Sequence, residues 1–381
     1  MIMELMAPCH FGLESVAKRE IFDLGYEITK TEDGRVFFKG DSEAIAYANI
    51  GLRTVERILL HIGSFQAKSF EELFQGVRAL PWEKYIPRDG RFWVTKASSV
   101  NSKLFSSSDI QSVSKKAIVE KLKETYALER FPEDGAPYPI RIFIKKDIVT
   151  VGLDTTGASL HKRGYRPQSG EAPISETLAC ALIMLTPWKK DRILVDPFCG
   201  SGTFLIEAAL MARNIPPGIN RSFTAEGWDN ICPASMWKDC RQDMKSLIIE
   251  DVHPDLQGYD IDKSVLRTAR DNAREAGVDD IIHFQQRDVS KLSHSGSYGF
   301  IITNPPYGQR IGDEDNLFEL YNKLGEAYRT LNEWSMYVIT AYEDAEKAIG
   351  RKADKNRKIY NGMIRTYYYQ YLGAKPKWNK R

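Results

Sequence analysis

Ile193-Leu-Val-Asp-Pro-Phe-Cys-Gly-Ser-Gly-Thr203 decides how this chain is read. An apolar run, Ile193-Leu-Val195, stops at Asp196 and Pro197, passes through a glycine-rich turn, and leads into a helix expected to start near Thr203. Gly200 and Gly202 let the backbone come close to a ligand at the carboxyl end of a strand, which is where open α/β sheets bind cofactors. The turn has no Gly-Lys-Ser/Thr for a nucleotide-phosphate loop, and the third residue after Gly202 is Leu205, where a dinucleotide fold wants Gly or Ala. Taken by itself, the turn equally suits close packing of a strand on a helix.

The sequence downstream supplies the context. Short apolar segments at 193–195, 256–259, 282–285, 300–303 and 336–340 are mostly separated by helical stretches. That rhythm predicts a parallel sheet with helices on both faces. Gly258-Tyr-Asp260-Ile-Asp262 closes the second strand, where a carboxylate can accept both hydroxyls of a ribose. Asp288 follows the third, placed to receive an adenine amino proton. Each acid alone would serve as a helix cap; at successive strand ends they form an adenosine-binding ladder. Asn304-Pro-Pro-Tyr307 follows the fourth strand. Its prolines donate no backbone hydrogen and stiffen the turn so that carbonyls point outward, and alone it would be a rigid strand-terminating turn.

Upstream, the pattern is a different one. Leu13, Val16, Ala17, Ile21 and Leu24 have helical spacing and stop at Gly25, a C-cap signal. Strands are expected at 26–28 and 35–38 around Asp33-Gly34, then a helix at 42–52, making a small α+β unit. From about 64 to 165 come a helix near 69–79, a strand at 91–97, a serine-rich stretch and a helix at 109–122 with Ile110, Val113, Ala117, Ile118 and Leu122 on one face. Strands at 140–145 and 148–153 complete this part. The turn-rich, charged stretch His161-Lys-Arg-Gly-Tyr-Arg-Pro-Gln-Ser-Gly170 marks a domain junction.

At 381 residues the chain has room for two or three domains, and 43% hydrophobic with 27% charged content is that of a soluble globular protein. No run is apolar enough to cross a bilayer, and MIMELMAPCH lacks a basic n-region, so neither a membrane anchor nor a signal peptide is expected. Five cysteines, Cys9, Cys180, Cys199, Cys232 and Cys240, form no CxxC pair; they imply a reducing cytoplasm and no zinc or other metal site. The net charge of +2 hides an uneven distribution: residues 345–381 carry 11 Lys and Arg against two acids. RKADKNRK and AKPKWNKR in that tail suit a polyanionic partner, or simply a solvated face.

Together, Asp196-Pro-Phe-Cys-Gly-Ser-Gly-Thr203, Asp260, Asp288 and Asn304-Pro-Pro-Tyr307 resemble the class I S-adenosylmethionine-dependent methyltransferases that act on exocyclic nitrogens of nucleobases. His161-Lys-Arg-Gly-Tyr-Arg166 and Gly170-Glu-Ala-Pro-Ile-Ser-Glu-Thr-Leu-Ala179 resemble the linker and first helix of THUMP-containing RNA methyltransferases, notably the ribosomal RNA guanine-N2 group. The resemblance covers nearly the whole chain. It implies a ferredoxin-like unit at 1–64, a THUMP RNA-binding domain at 65–165 and a Rossmann-like α/β methyltransferase domain at 166–381. Residues 214–257, with Trp228 and Trp237, resemble that group's insertion between the first helix and the second strand. Some members carry a second, C-terminal methyltransferase domain, which is not expected here.

The resemblance also implies site residues. Asp196, Phe198, Cys199, Gly200, Ser201, Gly202, Thr203, Asp260, Ile261, Asp288, Val289 and Asn304 would hold S-adenosylmethionine. Asn304, Pro305, Pro306 and Tyr307 would carry catalysis: the Asn304 side-chain oxygen and the Pro305 carbonyl hold the amine hydrogens, and Tyr307 stacks on an extruded base. Cys199 is read as packing rather than as a nucleophile, because an exocyclic amine offers no electrophilic carbon. Lys103, Lys115, Lys116, Lys162, Arg163 and Arg166 are the candidate RNA contacts, and Phe105 is a candidate for base stacking or for the core. The expected activity is cytoplasmic methylation of guanine N2 in 23S ribosomal RNA. The rivals are transfer RNA as substrate, a DNA adenine-N6 enzyme, and an RNA-binding protein with a degenerate methyltransferase fold.

Overall fold

The computed structural model describes residues 1–166, 174–308 and 314–376. It contains two seven-stranded sheets. The first is built from β1 (Met3–Pro8), β2 (Ile28–Glu32), β3 (Arg35–Gly40), β4 (Leu59–Gln66), β5 (Arg91–Val100), β6 (Pro137–Lys145) and β7 (Ile148–Asp154). Its order is β2-β3-β1-β4-β7-β6-β5, antiparallel except between β5 and β6. The helices in this part of the chain are α1 (Glu14–Asp23), α2 (Ser42–Gly51), α3 (Phe70–Arg78) and α4 (Ser107–Tyr126). Serines cap α3 and α4: Ser69 accepts from the Glu72 amide and Ser106 from the Asp109 amide.

The sequence-expected elements appear with adjusted ends. The strand expected at 26–28 begins instead at Ile28, because the Tyr26 amide still donates back to the Ile21 carbonyl of α1. In α4, Val113 is only half-buried and Ser114 takes the core position beside it. The boundary expected between residues 64 and 65 falls within β4, which pairs with β1 and with β7 in the same sheet.

The later elements are α5 (Glu176–Met184), β8 (Leu194–Asp196), α6 (Thr203–Ala212), α7 (Ala234–Ser246), β9 (Leu256–Asp260), α8 (Lys263–Glu275), β10 (Ile282–Gln286), β11 (Phe300–Thr303), α9 (Glu314–Thr330), β12 (Ser335–Thr340), α10 (Ala345–Ile349), β13 (Lys355–Asn361) and β14 (Ile364–Tyr371). The second sheet runs β10-β9-β8-β11-β12-β14-β13. Its first five strands are parallel; β14 is antiparallel to β12 and forms a hairpin with β13. The all-parallel expectation is thus corrected at one edge. The second half of RKADKNRK, read as tail, begins β13, whose only buried residue is Ile359; a strand with one buried side chain leaves little hydrophobic alternation to detect.

Alternation along the central strands builds a core on each face of this sheet. Leu194, Phe300, Ile302, Tyr337 and Ile339 join α5, α6 and α8 on one face. Val195, Ile301, Met336 and Val338 join α9 and α10 on the other. Helix α6 is buried almost all round, which its composition TFLIEAALMA allows. Helix α8 is one-sided, burying Leu266, Ala269, Asn272 and Ala273.

The chain divides into two compact units: Met1–Cys9, Ala17–Leu160 and Gly218–Met244 in one; His10–Val16, His161–Pro217 and Lys245–Arg381 in the other. Residues 218–244 therefore fold with the first unit although they lie between β8 and β9 in sequence. Trp228 explains this locally. It is fully buried, stacks on Tyr138 with ring centroids 4.9 Å apart, and donates its indole N–H to the Pro137 carbonyl at 2.7 Å. Trp237, also buried, stacks on Phe223.

Candidate active site

Parallel pairing puts the ends of β8, β9, β10 and β11 on one edge of the second sheet. That edge holds Asp196, Asp260, Asp288 and Asn304. Asp196 ends β8 and is 2% exposed. Its Oδ1 accepts from the Thr303 hydroxyl at 2.6 Å and from the Phe198 amide at 3.1 Å. Thr303 is the last residue of β11, so one hydrogen bond ties the glycine turn to the base of the Asn304-Pro-Pro-Tyr307 turn. Burial raises the Asp196 carboxyl to about 7, against lowering by its two donors.

The glycine turn is held from β9. The Gly200 amide donates to Asp260 Oδ2 at 3.0 Å, the Cys199 amide to the Tyr259 carbonyl, and Asn272 Nδ2 to the Ser201 carbonyl. Gly200 and Gly202 have φ of 52° and 84°, the left-handed region that favours glycine. A Cβ at Gly200 would meet no atom within 4 Å, so this backbone borders open space, whereas one at Gly202 would stand 3.0 Å from Phe284. Burial, with Asp196 and Asp260 nearby, pushes the Cys199 thiol well up, which keeps it from acting as a nucleophile. Burial also raises the Asp260 carboxyl. Ile261 beside it is 66% exposed, and Val289 is buried. Asp288 accepts from the Ser290 hydroxyl and amide, which hold its carboxyl below the usual range.

Asn304 is half-buried, but its Oδ1 is shielded and has no hydrogen-bond partner among the described residues. Pro305 is buried and Pro306 exposed. The Tyr321 hydroxyl, from α9, donates to the Pro306 carbonyl at 3.1 Å and lies 2.6 Å from Thr340 Oγ1, which fixes the turn from behind. Tyr307 is half-buried, with its hydroxyl 3.5 Å from Asn361 Nδ2 at the end of β13.

The expected RNA contacts separate into two groups. Lys103, Lys116 and Lys162 are exposed. The other three make contacts within the protein, two of them buried or nearly so and Lys115 with its side chain 39% exposed. Arg163 is 7% exposed and pairs with Glu207, which also accepts from the Tyr165 hydroxyl and Cys180. Burial opposes the charge of Arg163, yet Glu207, Cys180, Tyr165 and Glu176 together raise its pKa. Arg166 donates to Glu176 at 2.8 Å and to the Thr203 hydroxyl at 3.1 Å, supporting the glycine turn. Lys115 donates to the Phe92 carbonyl and lies 3.6 Å from Glu133. Phe105 is 83% exposed, which settles its placement outside the core. Part of the 161–170 junction and residues 377–381 of the basic tail lie outside the described residues. Among the described residues no group of His, Cys, Asp and Glu could hold a metal ion, and no helix is long and apolar enough to cross a membrane.

The chain matches three families: "RMKL-like, methyltransferase domain" over residues 163–370, "RlmL ferredoxin-like domain" over 4–59 and "THUMP domain" over 67–154. A Bacillus subtilis protein named "Putative RNA methyltransferase YpsC" is 45% identical over 369 residues, 96% of this chain and 95% of that one. The ribosomal RNA large subunit methyltransferase K/L of Cellvibrio japonicus is 33% identical over 96% of this chain; the chain spans about half, 50%, of its length. Among solved structures, SMU.472, described as "a putative methyltransferase complexed with SAH", is 42% identical, covers 99% of each chain and has a TM-score of 0.92.

Proposed function

The chain belongs to the RMKL-like methyltransferase family, and on that premise we propose that it methylates an exocyclic base nitrogen in RNA, using S-adenosylmethionine, with guanine N2 of 23S ribosomal RNA as the target. The observation that carries this is Asn304 Oδ1, a shielded acceptor with no partner among the described residues, on a turn bonded through Thr303 to the glycine turn. A shielded acceptor left unpaired is costly unless a donor arrives to fill it, and an amino group is such a donor. The match to a THUMP domain, an RNA-binding module, supports RNA over DNA.

The residues present fit the cofactor. Gly200 borders open space, Asp260 stands at the end of β9 as an acceptor for ribose hydroxyls, and Ile261 offers an exposed apolar side chain beside it. Asp288 is held ionised as an acceptor for an adenine amine. When bound, S-adenosylmethionine supplies a methyl group already activated by its sulfonium. Asn304 Oδ1 and the Pro305 carbonyl accept from the two amine hydrogens and favour a pyramidal nitrogen as positive charge develops. Tyr307 stacks on the extruded base, and Tyr321 holds the turn so that both acceptors keep their aim. The surplus proton leaves the methylated nitrogen for water.

With this reading go the division into domains at 1–64, 65–165 and 166–381, a cytoplasmic setting, and RNA contacts at Lys103, Lys116 and Lys162. Two measurements test it. Nucleosides from ribosomal RNA of a deletion strain should lack one N2-methylguanosine, and the purified protein should restore it in that RNA. Asn304→Ala should lose about a hundred- to a thousandfold in transfer, far more than it loses in calorimetric affinity for S-adenosylmethionine. Full turnover by that variant refutes the assignment. Restoration only in transfer RNA, or methylation only of DNA adenine, moves the substrate to one of the rivals.

A further inference from the structure

The hairpin β13–β14 forms the outer edge of the second sheet. Its register sets Lys358 opposite Tyr367 and Tyr360 opposite Arg365. Ile359, Thr366 and Tyr368 are fully buried on one face, so alternation places Lys358, Tyr360, Arg365 and Tyr367 together on the other, where Tyr369 and Tyr371 farther along β14 are buried in the core against α9 and α10 and Tyr367 borders that core. Two cations and two aromatic rings therefore alternate in both directions. Lys358 Nζ lies 5.4 Å from the Tyr360 ring centroid, and the Arg365 guanidinium 5.9 Å from that of Tyr367. Both cations are exposed and both tyrosines half-buried. Residues 351–371 contain six Lys and Arg and one acid, Asp354. A carboxylate beside this face is Glu343, 3.7 Å from Arg365 and itself 86% exposed.

The strip leads to the catalytic turn. Asn361, one residue beyond Tyr360 and on the face of Ile359, reaches the Tyr307 hydroxyl at this end of the strand, and the tip that follows presents Met363 at 98% exposure. Lysines on an edge strand discourage pairing with another sheet, which accounts for Lys355 and Lys358. It does not account for two tyrosines sharing a face with two cations at the one end of the strand that touches Tyr307.

We propose that this face of β13–β14 is a platform for single-stranded RNA, on which Lys358 and Arg365 hold phosphates while Tyr360 and Tyr367 stack the bases flanking the target. The chemistry is that of sequence-tolerant single-strand binding, cations tracking the backbone and rings taking bases. The inference rests on the proposed function only for the role of Tyr307; the binding itself does not depend on it.

The test uses the full chain without cofactor and a fluorescein-labelled single-stranded RNA of about 12 nucleotides, followed by anisotropy between roughly 50 and 300 mM KCl. Lys358→Ala with Arg365→Ala should flatten the log–log salt slope by about 1.4, two phosphates at 0.7 each. Tyr360→Leu should weaken binding about fivefold or more with the slope kept, and Tyr360→Trp should restore it. Unchanged affinity and slope in the double variant overturn the platform, as does an equal loss on a duplex of the same sequence. It is also overturned if sedimentation shows the variants dissociating a dimer while RNA affinity stays constant, because the edge would then pair with a second copy. Transfer to ribosomal RNA from the deletion strain separates this from the enzymatic reading. Normal transfer with unchanged binding in the variants sinks the platform alone; lost binding in the variants with no transfer by the natural protein supports the platform and sinks the enzyme.

Discussion

Asp196 holds its proton up to about 7 because it is buried, whereas an aspartate in an open chain gives it up near 3.8. Between those values the folded protein carries a proton that the unfolded chain has lost. Its contribution to stability is therefore complete below 3.8 and disappears as the pH rises through about 7, by on the order of 4 kcal/mol at most. Asp196→Asn should abolish this dependence: urea midpoints of the natural protein should fall relative to the variant from about pH 4 to 8. Parallel curves would mean that Asp196 is ionised throughout. At the same scale, the basic residues show where sequence misleads. A positive charge in a sequence invites a phosphate, but Arg163 and Arg166 find Glu207 and Glu176 through the fold. Neither partner is a sequence neighbour in the sense that a helix pair would be.

Among the elements, the two turns were legible from their glycine and proline punctuation, and the five parallel strands from short apolar runs recurring between helical stretches. The hairpin β13–β14 was not. In KNRKIYN only Ile359 meets the core, and the strand is fixed by seven pairings with β14 rather than by its own pattern. The glycine turn gives a prediction that separates its two glycines. Both Gly200→Ala and Gly202→Ala force a positive φ on alanine, costing about 1–2 kcal/mol each. At Gly202 the new methyl also presses on Phe284 at 3.0 Å and Ala269 at 3.3 Å, so its melting temperature should fall further. At Gly200 the methyl enters the open space beside Asp260, and calorimetry should show the larger loss of cofactor affinity there. The reverse order in both measurements would place the ligand elsewhere.

For the whole molecule, residues 218–244 matter most. Their aromatic anchors gave the sequence little to read, since Tyr138 lies 90 residues from Trp228 and no local pattern joins them. Trp228→Ala removes a fully buried ring and its bond to Pro137, at about 3–5 kcal/mol. Because that loss falls in the first unit, calorimetric unfolding should show an earlier transition for it, while S-adenosylmethionine affinity stays near that of the natural protein. A single cooperative transition with binding lost in step would mean the units unfold as one. The same path of the chain has a consequence for biosynthesis. On the ribosome the first unit lacks its last segment until Met244 has emerged, by which time the β8 turn and α6 have already left the exit tunnel. Vectorial synthesis cannot finish one half before starting the other, so nascent chains of about 160 to 240 residues should be the ones chaperones hold longest.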